Sequence, residues 1–359
     1  MNFNHEMLTL AREIRGITQN ELAQKTGISQ ARISRYEGGI KDVSEEDLTL
    51  ISELLKFPAT LFMRDGKRYG ADTGELFHRR RKSVSKKQLN MIDGHLNKRR
   101  LEVTDLLKQL DSISPYEIPI LSAYNYDDPA EIASIVRSKW QIPSGPIHNL
   151  VRQLEAASCV IFTFDFGTDK IDEAVQWIEP SSPIILINNR SPWDRVRFSL
   201  AHALGHLIMH RGEFDAETME AEADAFAAAF LMPEDDIRDD LQAVTLDNML
   251  SVKPYWKVSA QALIRRARDI DQISEKRYTS LNQMISRAGY RKNEPVKLPP
   301  ENVQLVQSLR NVYMEQLDYS IEEFAELVQL NVDECRMWYQ INAPYLNIIV
   351  NKSKQRKSS

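Results

Sequence analysis

The sequence predicts a multi-domain, mainly α protein with an all-α head, an α+β domain that contains a small sheet, and a C-terminal helical region. Three observations support this prediction. The first 65 residues consist of short apolar segments at helical spacing, with turn residues between them. Further along, two β-branched or aromatic runs lie among helical segments. The chain has 359 residues, which is long enough for two or three domains.

The domain boundaries follow from changes in this pattern. The expected domains are the head at 1–65, a basic linker and helix at 66–113, the α+β domain at 114–295, and a helical region with a disordered polar tail at 296–359.

Charge is unevenly distributed along the chain. The whole chain has a net charge of −5, but residues 1–110 carry 20 Lys+Arg against 15 Asp+Glu. Because the rest is acidic, only these first 110 residues are expected to face a polyanion. The chain has no apolar run long enough for a membrane span, no signal-peptide pattern, and two cysteines without disulfide or metal-ligand spacing. We therefore expect a cytoplasmic protein without a membrane partner.

The head contains two short helices joined by a sharp turn. Thr18 and Glu21 form a capping box at the start of one helix, Gly27 permits the turn, and Ser29 caps the next helix. The second helix directs polar and basic side chains outward, and these types suit the edges of DNA bases. The outward positions are Gln30, Ala31, Arg32, Ser34 and Arg35.

Residues 5–65 resemble the lambda-repressor-like (XRE) helix-turn-helix family. The resemblance implies that the second helix enters the major groove of a double-stranded DNA operator, and that Gln19 approaches a phosphate or the groove edge. It also implies a homodimer, because such domains usually bind two half-sites. The alternative is a motif retained only for protein docking or dimerisation.

The region after the head is basic. Residues 66–83 look irregular, and a single helix is expected from Val84 to about Asp111. Between Arg79 and Arg100 there are nine basic residues and one acid. We interpret this segment as a linker helix that could run along DNA or pack between domains.

The α+β domain is expected to combine two strands with several helices. The strands are 159–164 and 183–188, and Ile184–Asn188 is a candidate edge for an extended substrate or else plain sheet core. The predicted helices are 130–140, 147–157, 195–210, 216–231 and 260–271, with a last helical segment at about 301–341. Residues 320–339 repeat the periodicity of a helix-turn-helix, but Asp333 and Glu334 would repel phosphates, so we interpret them as a packing or partner-binding element.

Two helices of this domain carry paired metal-binding side chains. His202 and His206 lie four residues apart, so both imidazoles project from one helical face and can share a tetrahedral zinc. Glu220 and Asp224 repeat this spacing on the next helix. Glu220 could be the third ligand, and Asp224 could accept a hydrogen bond from a ligand imidazole. Three ligands leave an open position, as in catalytic zinc sites.

These segments, RFSLAHALGHLIMH and EAEADAFAAAFLMP, resemble the ImmA/IrrE family of zinc peptidases, in which the first helix reads HExxH. The resemblance spans about residues 115–295 and implies an α+β zincin-like metallopeptidase domain that binds Zn²⁺ through His202, His206 and Glu220. Glu222 is the rival third ligand. His210 is expected to pack rather than to bind metal.

Ala203 departs from the family pattern. The family has a glutamate there, which takes a proton from water and delivers it to the leaving amine. A methyl group can do neither, so the chain as written is expected to bind zinc yet hydrolyse little. An engineered inactivation is favoured because the rest of the motif is intact, and a natural pseudo-peptidase is the alternative.

The leading functional hypothesis is a transcriptional regulator whose head holds DNA and whose zinc endopeptidase domain cleaves one partner protein. The resemblance implies a repressor or antitoxin as substrate, in a stress, mobile-element, toxin–antitoxin or anti-phage circuit. One alternative is a non-proteolytic transcription factor with a zinc domain that is a sensor or scaffold. Another is the toxin component of a toxin–antitoxin pair.

Overall fold

The computed structural model describes residues 3–70, 76–80, 84–108, 110, 114–126, 128–210 and 216–341. The predicted disordered tail and part of the basic cluster before Val84 lie outside these residues. The described part is mainly helical with one small sheet, as the sequence predicts. None of the described helices is both long and apolar enough to span a membrane.

The head is a bundle of short helices, as predicted. Its helices are α1 (His5–Ile14), α2 (Gln19–Thr26), α3 (Gln30–Glu37) and α4 (Glu45–Leu55), followed by a 3₁₀ turn at Ala59–Met63. The expected capping box at Thr18 and Glu21 is present. Gly27 ends α2 with φ +76°, a left-handed conformation that a residue without Cβ adopts at little cost.

The basic helix after the head is a central packing element. This helix, α5 (Lys86–Leu107), contacts α1 on one side and the sheet on another. Gly94 allows the close approach, since a Cβ there would lie 3.0 Å from the backbone nitrogen of Ile14. Lys98, Arg99 and Arg100 are buried, so they cannot run along DNA. Of the two arrangements considered for this segment, the structure shows the packed one.

The sheet has four strands in the order β1-β3-β4-β2. The strands are β1 (Leu76–Arg80), β2 (Val160–Phe164), β3 (Ile171–Gln176) and β4 (Ile184–Asn188). β4 pairs with β2 in parallel and with β3 antiparallel, so it is an interior strand. The hypothesis that Ile184–Asn188 is a free edge is therefore wrong, and the plain-core alternative holds. β1 lies in the segment expected to be irregular and pairs antiparallel with β3.

Helices pack against one face of the sheet, and the side chains between them form the larger apolar core of the α+β domain. The helices of this domain are α6 (Pro129–Lys139), α7 (Leu150–Ala156), α8 (Trp193–Met209), α9 (Ala216–Leu231), α10 (Glu234–Ile237), α11 (Leu246–Trp256), α12 (Ala260–Asp269) and α13 (Glu275–Arg287). The helices α6, α7, α8, α9 and α12 agree with the predicted helices to within a few residues, whereas α10, α11 and α13 are not among the predicted helices. Helix α8 contacts both β3 and β4, and α9 packs against α8 and α6.

The C-terminal helices dock onto the head and onto α5. They are α14 (Leu305–Asn311), a π-helical turn at Val312–Gln316, α15 (Ile321–Leu327) and α16 (Val332–Trp338). Glu334 pairs with Arg15 of the head at 2.5 Å, and the Tyr339 hydroxyl donates a hydrogen bond of 2.9 Å to Glu102. This segment is therefore a packing element, which agrees with the interpretation of its acidic residues.

Candidate functional site

The candidate metal site lies between helices α8 and α9, which cross at very short range. Gly205 makes the crossing possible: a Cβ there would lie 3.1 Å from Cδ1 of Phe226 and 3.3 Å from Cα of Ala223. Both distances are shorter than ordinary carbon–carbon contacts. The crossing brings the imidazole face of α8 opposite the carboxylate face of α9.

His202, His206 and Glu220 meet at this crossing. The two Nε2 atoms are 3.0 Å apart, and the Glu220 carboxylate oxygens lie 3.5 Å from Nε2 of His202 and 3.4 Å from Nε2 of His206. A tetrahedral zinc with bonds of about 2.0 Å separates its ligand atoms by about 3.3 Å. The three donor atoms therefore form a triangle of the size that one zinc ion requires, and the described residues fit the metal.

The protonation states suit metal binding. Burial lowers the pKa of His206 to about 4, so its imidazole is neutral. Burial acts to raise the pKa of Glu220, but hydrogen bonds and charges from His202 and His206 outweigh it, and the pKa lies well below its usual value. A neutral imidazole and an ionised carboxylate are the forms that bind zinc.

Asp224 orients the imidazole of His202 through a contact with its Nδ1 atom. Its Oδ1 lies 3.1 Å from Nδ1 of His202, on the far side of the ring from the triangle. Its Oδ2 accepts a hydrogen bond of 3.0 Å from Arg265 in α12. Sequence reasoning proposed the Asp224 contact but missed Arg265, which no local spacing indicates, because it lies 41 residues further along.

A second chain of hydrogen bonds supports the other imidazole. Nδ1 of His206 lies 2.9 Å from Nδ1 of His210, and Nε2 of His210 lies 2.9 Å from Glu222. Glu222, the rival third ligand, is thus engaged with His210, and the triangle contains Glu220 instead. From the sequence, His210 is expected only to pack, and its contact with His206 is an additional finding. Its spacing of four from His206 was the available signal for this contact.

Ala203 is fully buried beside the site and belongs to the apolar core of the domain. Its methyl group has no proton to give or accept. The described triangle therefore contains groups that can hold a metal, while the position after His202 contains none that can move a proton.

A cavity of about 360 Å³ opens next to the triangle. Glu220 and Asp224 line its metal end, and β3, the start of α8, α12 and the segment after α13 supply the rest of its wall. The cavity is large enough for one or two side chains of a peptide, and it gives the metal end access to solvent.

The second candidate site is helix α3 of the head. Gln30, Ala31, Arg32, Ser34 and Arg35 are all exposed, so the structure places the five predicted DNA-facing residues on one accessible helix. Gln19 donates a hydrogen bond of 2.9 Å to Glu37 and accepts one of 2.9 Å from Gln30, which holds both amides at the start of α3. Arg32 forms an ion pair with Asp47, whereas Arg35, the other arginine of the five, forms no ion pair with a described residue.

Comparison with protein families gives two matches. Residues 154–268 match the model of the IrrE N-terminal-like domain, a peptidase family. Residues 8–62 match a helix-turn-helix family model. The first match contains the entire triangle together with Asp224 and Arg265, and the second contains α2 and α3. A search of curated proteins found no match to the chain.

Proposed function

Since the chain carries an N-terminal helix-turn-helix domain and an IrrE-like peptidase domain, we propose that it is a DNA-binding transcriptional regulator with a zinc-dependent endopeptidase domain. The triangle of His202, His206 and Glu220 is the observation that carries the proposal. The substrate is one specific partner protein, a repressor or an antitoxin, and its cleavage changes expression of a stress, mobile-element, toxin–antitoxin or anti-phage operon.

The residues of the triangle would hold Zn²⁺ through the Nε2 atoms of both histidines and a carboxylate oxygen of Glu220. Bound zinc supplies a Lewis acid for the scissile carbonyl and lowers the pKa of water. With Nε2 as the ligand atom, Nδ1 of His202 carries its proton toward Asp224, and Nδ1 of His206 carries its proton toward His210. These bonds orient both rings and increase their basicity.

At position 203, the chain lacks a side chain that can transfer a proton. Peptide hydrolysis needs a group that takes a proton from the attacking water and returns it to the leaving nitrogen. Ala203 occupies the position where the family has this glutamate. The chain with Ala203 therefore binds its substrate and metal but turns over slowly.

The head would bring this activity to DNA. The exposed face of α3 fits the major groove of a double-stranded operator, where Gln30 and Arg35 can form bidentate hydrogen bonds with adenine and guanine. Two copies of the chain would bind two half-sites as a homodimer.

Ala203 itself favours a second candidate. If alanine is the natural residue, the chain is a transcription factor that uses its zinc domain as a metal sensor or scaffold. DNA binding that changes with zinc, in the absence of proteolysis by the restored enzyme, would select this function.

The test restores the proton-transfer group. The variants are Ala203→Glu, Ala203→Gln as a matched control of similar size, and Ala203→Glu with His202→Ala. Each is incubated with zinc and a proteome-derived peptide library, and new termini are identified by mass spectrometry. We expect cleavage by Ala203→Glu alone. No cleavage by a folded, zinc-loaded Ala203→Glu protein would contradict the peptidase proposal.

A further inference from the structure

The cavity beside the triangle has a wall rich in charged side chains. Five acids and four bases line it. The acids are Asp172, Asp194, Glu220, Asp224 and Glu294, and the bases are Arg195, Arg265, Arg291 and Lys292. Which of these charges remain available to a ligand depends on the contacts that each one already makes.

The acids in the wall already form contacts with other groups of the protein. Asp194 and Glu294 share the buried Lys253, and Glu294 also accepts a hydrogen bond from the backbone nitrogen of Ala260. Asp224 contacts His202 and Arg265. Asp172 and Glu220 are the other two acids in the wall.

Asp172 accepts a hydrogen bond from Ser191 at 2.9 Å and lies 3.7 Å from Arg195. Glu220 faces the two ligand histidines. Each acid of the wall is therefore already in contact with a basic side chain or directed at the metal site.

Two of the bases, Arg291 and Lys292, have no acidic partner among the described residues. Arg291 donates a hydrogen bond of 2.7 Å to the neutral hydroxyl of Ser286. In the part of the chain that the structure describes, neither Arg291 nor Lys292 forms an ion pair with an acid, and both are exposed. Arg195 donates a hydrogen bond to the Arg291 carbonyl, so the loop that carries the two bases is connected to the start of α8.

We propose that this cavity selects an acidic side chain of an extended peptide, with Arg291 and Lys292 as its recognition residues. The inference rests on the proposed peptidase function, because it names the substrate class of that same site. A carboxylate of Asp or Glu near the scissile bond would enter the cavity and pair with Arg291 and Lys292. A neutral or basic side chain at that position would leave them unpaired.

The cavity fits a peptide better than a nucleic acid. Its volume admits one or two side chains, whereas a nucleic acid strand would bring a row of phosphates past Asp172, Asp194 and Glu294. The negative phosphates and the negative carboxylates would repel one another. A single carboxylate can pair with Arg291 and Lys292 and brings only one negative charge into the cavity.

Peptide binding to the chain with Ala203 tests this inference without any turnover. Three fluorescein-labelled, end-blocked peptides of equal length differ only in two central residues, which are Glu, Gln or Lys. Their affinities for the purified chain are measured by fluorescence anisotropy, with and without added Zn²⁺. We expect the Glu peptide to bind about tenfold more tightly than the Gln peptide.

The variants locate the preference. We expect Arg291→Gln with Lys292→Gln to lose the preference for the Glu peptide. We expect Arg291→Glu with Lys292→Glu to bind the Lys peptide more tightly than the Glu peptide. The control is Lys139→Gln with Lys276→Gln, which removes as much positive charge as Arg291→Gln with Lys292→Gln, but at exposed positions outside the cavity. We expect this control to keep the preference for the Glu peptide. Because all these positions are exposed, we expect the variants to fold, and circular dichroism checks this.

Several results would overturn the inference. They are equal affinities for the three peptides, a Glu preference that survives Arg291→Gln with Lys292→Gln, or tighter binding of an oligothymidine that displaces the Glu peptide. These results are independent of the cleavage test. A Glu preference without cleavage by Ala203→Glu would refute the peptidase function alone, and cleavage without a Glu preference would refute only this inference.

Discussion

Asp224 contacts Nδ1 of His202 at 3.1 Å while its other oxygen contacts Arg265 at 3.0 Å. The carboxylate is therefore held between the ligand imidazole and a helix that contributes no ligand. An imidazole whose Nδ1 proton is held by a carboxylate keeps its Nε2 lone pair directed at the metal.

We predict that Asp224→Ala weakens zinc binding by about 10-fold to 100-fold, because the His202 ring loses its orienting acceptor. Competition with a chromophoric chelator measures the zinc affinity. Asp247→Ala, at an exposed position in the first turn of α11, is the control and should leave the affinity unchanged. If Asp224→Ala and the control bind zinc with equal affinity, the contact between Asp224 and His202 does not affect zinc binding.

The two candidate third ligands differ in a measurable way. Glu220→Ala removes a vertex of the triangle, so we expect zinc binding to fall below one ion per chain in a dialysed sample. Glu222→Ala removes only the contact with His210, and the expected loss is about 10-fold in affinity, as for other supporting residues. Equal losses in both variants, or a larger loss for Glu222→Ala, would contradict the assignment of Glu220.

The sequence predicts the local parts of this protein well and the long-range contacts poorly. Helix caps at Thr18 and Ser29, and the imidazole spacing of His202 and His206, are properties of single helices, so periodicity reveals them. The contact between Asp224 and Arg265 joins residues 41 positions apart, and periodicity carries no information on it.

The same reason explains why the sequence left two arrangements open for α5. A run of Lys98, Arg99 and Arg100 looks like a solvated surface, since basic residues are rarely buried unless they are paired. Their charge partner is local, since Glu102 lies 2.5 Å from Lys98 and 2.7 Å from Arg99, but the other groups that cover them are distant in sequence. Lys98 donates to the carbonyl of Val328 at 2.6 Å, and the Arg99 guanidinium lies 4.1 Å from the centre of the Trp338 ring.

The close crossing at Gly205 gives a prediction on stability. Gly205→Val places extra carbons against Phe226 and Ala223, and such overpacking costs about 1–3 kcal/mol in the free energy of unfolding. Urea denaturation measures the change. Gly70→Val is the matched control, because a Cβ at Gly70 meets nothing within 4 Å, and its expected effect is within about 0.5 kcal/mol. Comparable losses in both variants would show that the crossing is not tightly packed.

The exposed face of α3 gives a prediction on DNA binding. On a duplex selected from a random pool, Arg35→Ala should weaken binding by about 1–3 kcal/mol and relax the preference at one base pair, as expected for a lost base contact. Arg238→Ala, in the acidic body at the end of α10, is the control. A uniform loss across all sequences would instead indicate a phosphate contact at Arg35.

The metal content of the purified chain tests whether His202, His206 and Glu220 hold one zinc ion. Mass spectrometry of the purified chain, beside a His202→Ala variant, measures the number of zinc ions per chain. We predict about one zinc per chain, since three protein ligands form one site, and none in the variant. Absence of zinc from a folded chain that has been offered the metal, or equal zinc in both proteins, would contradict it.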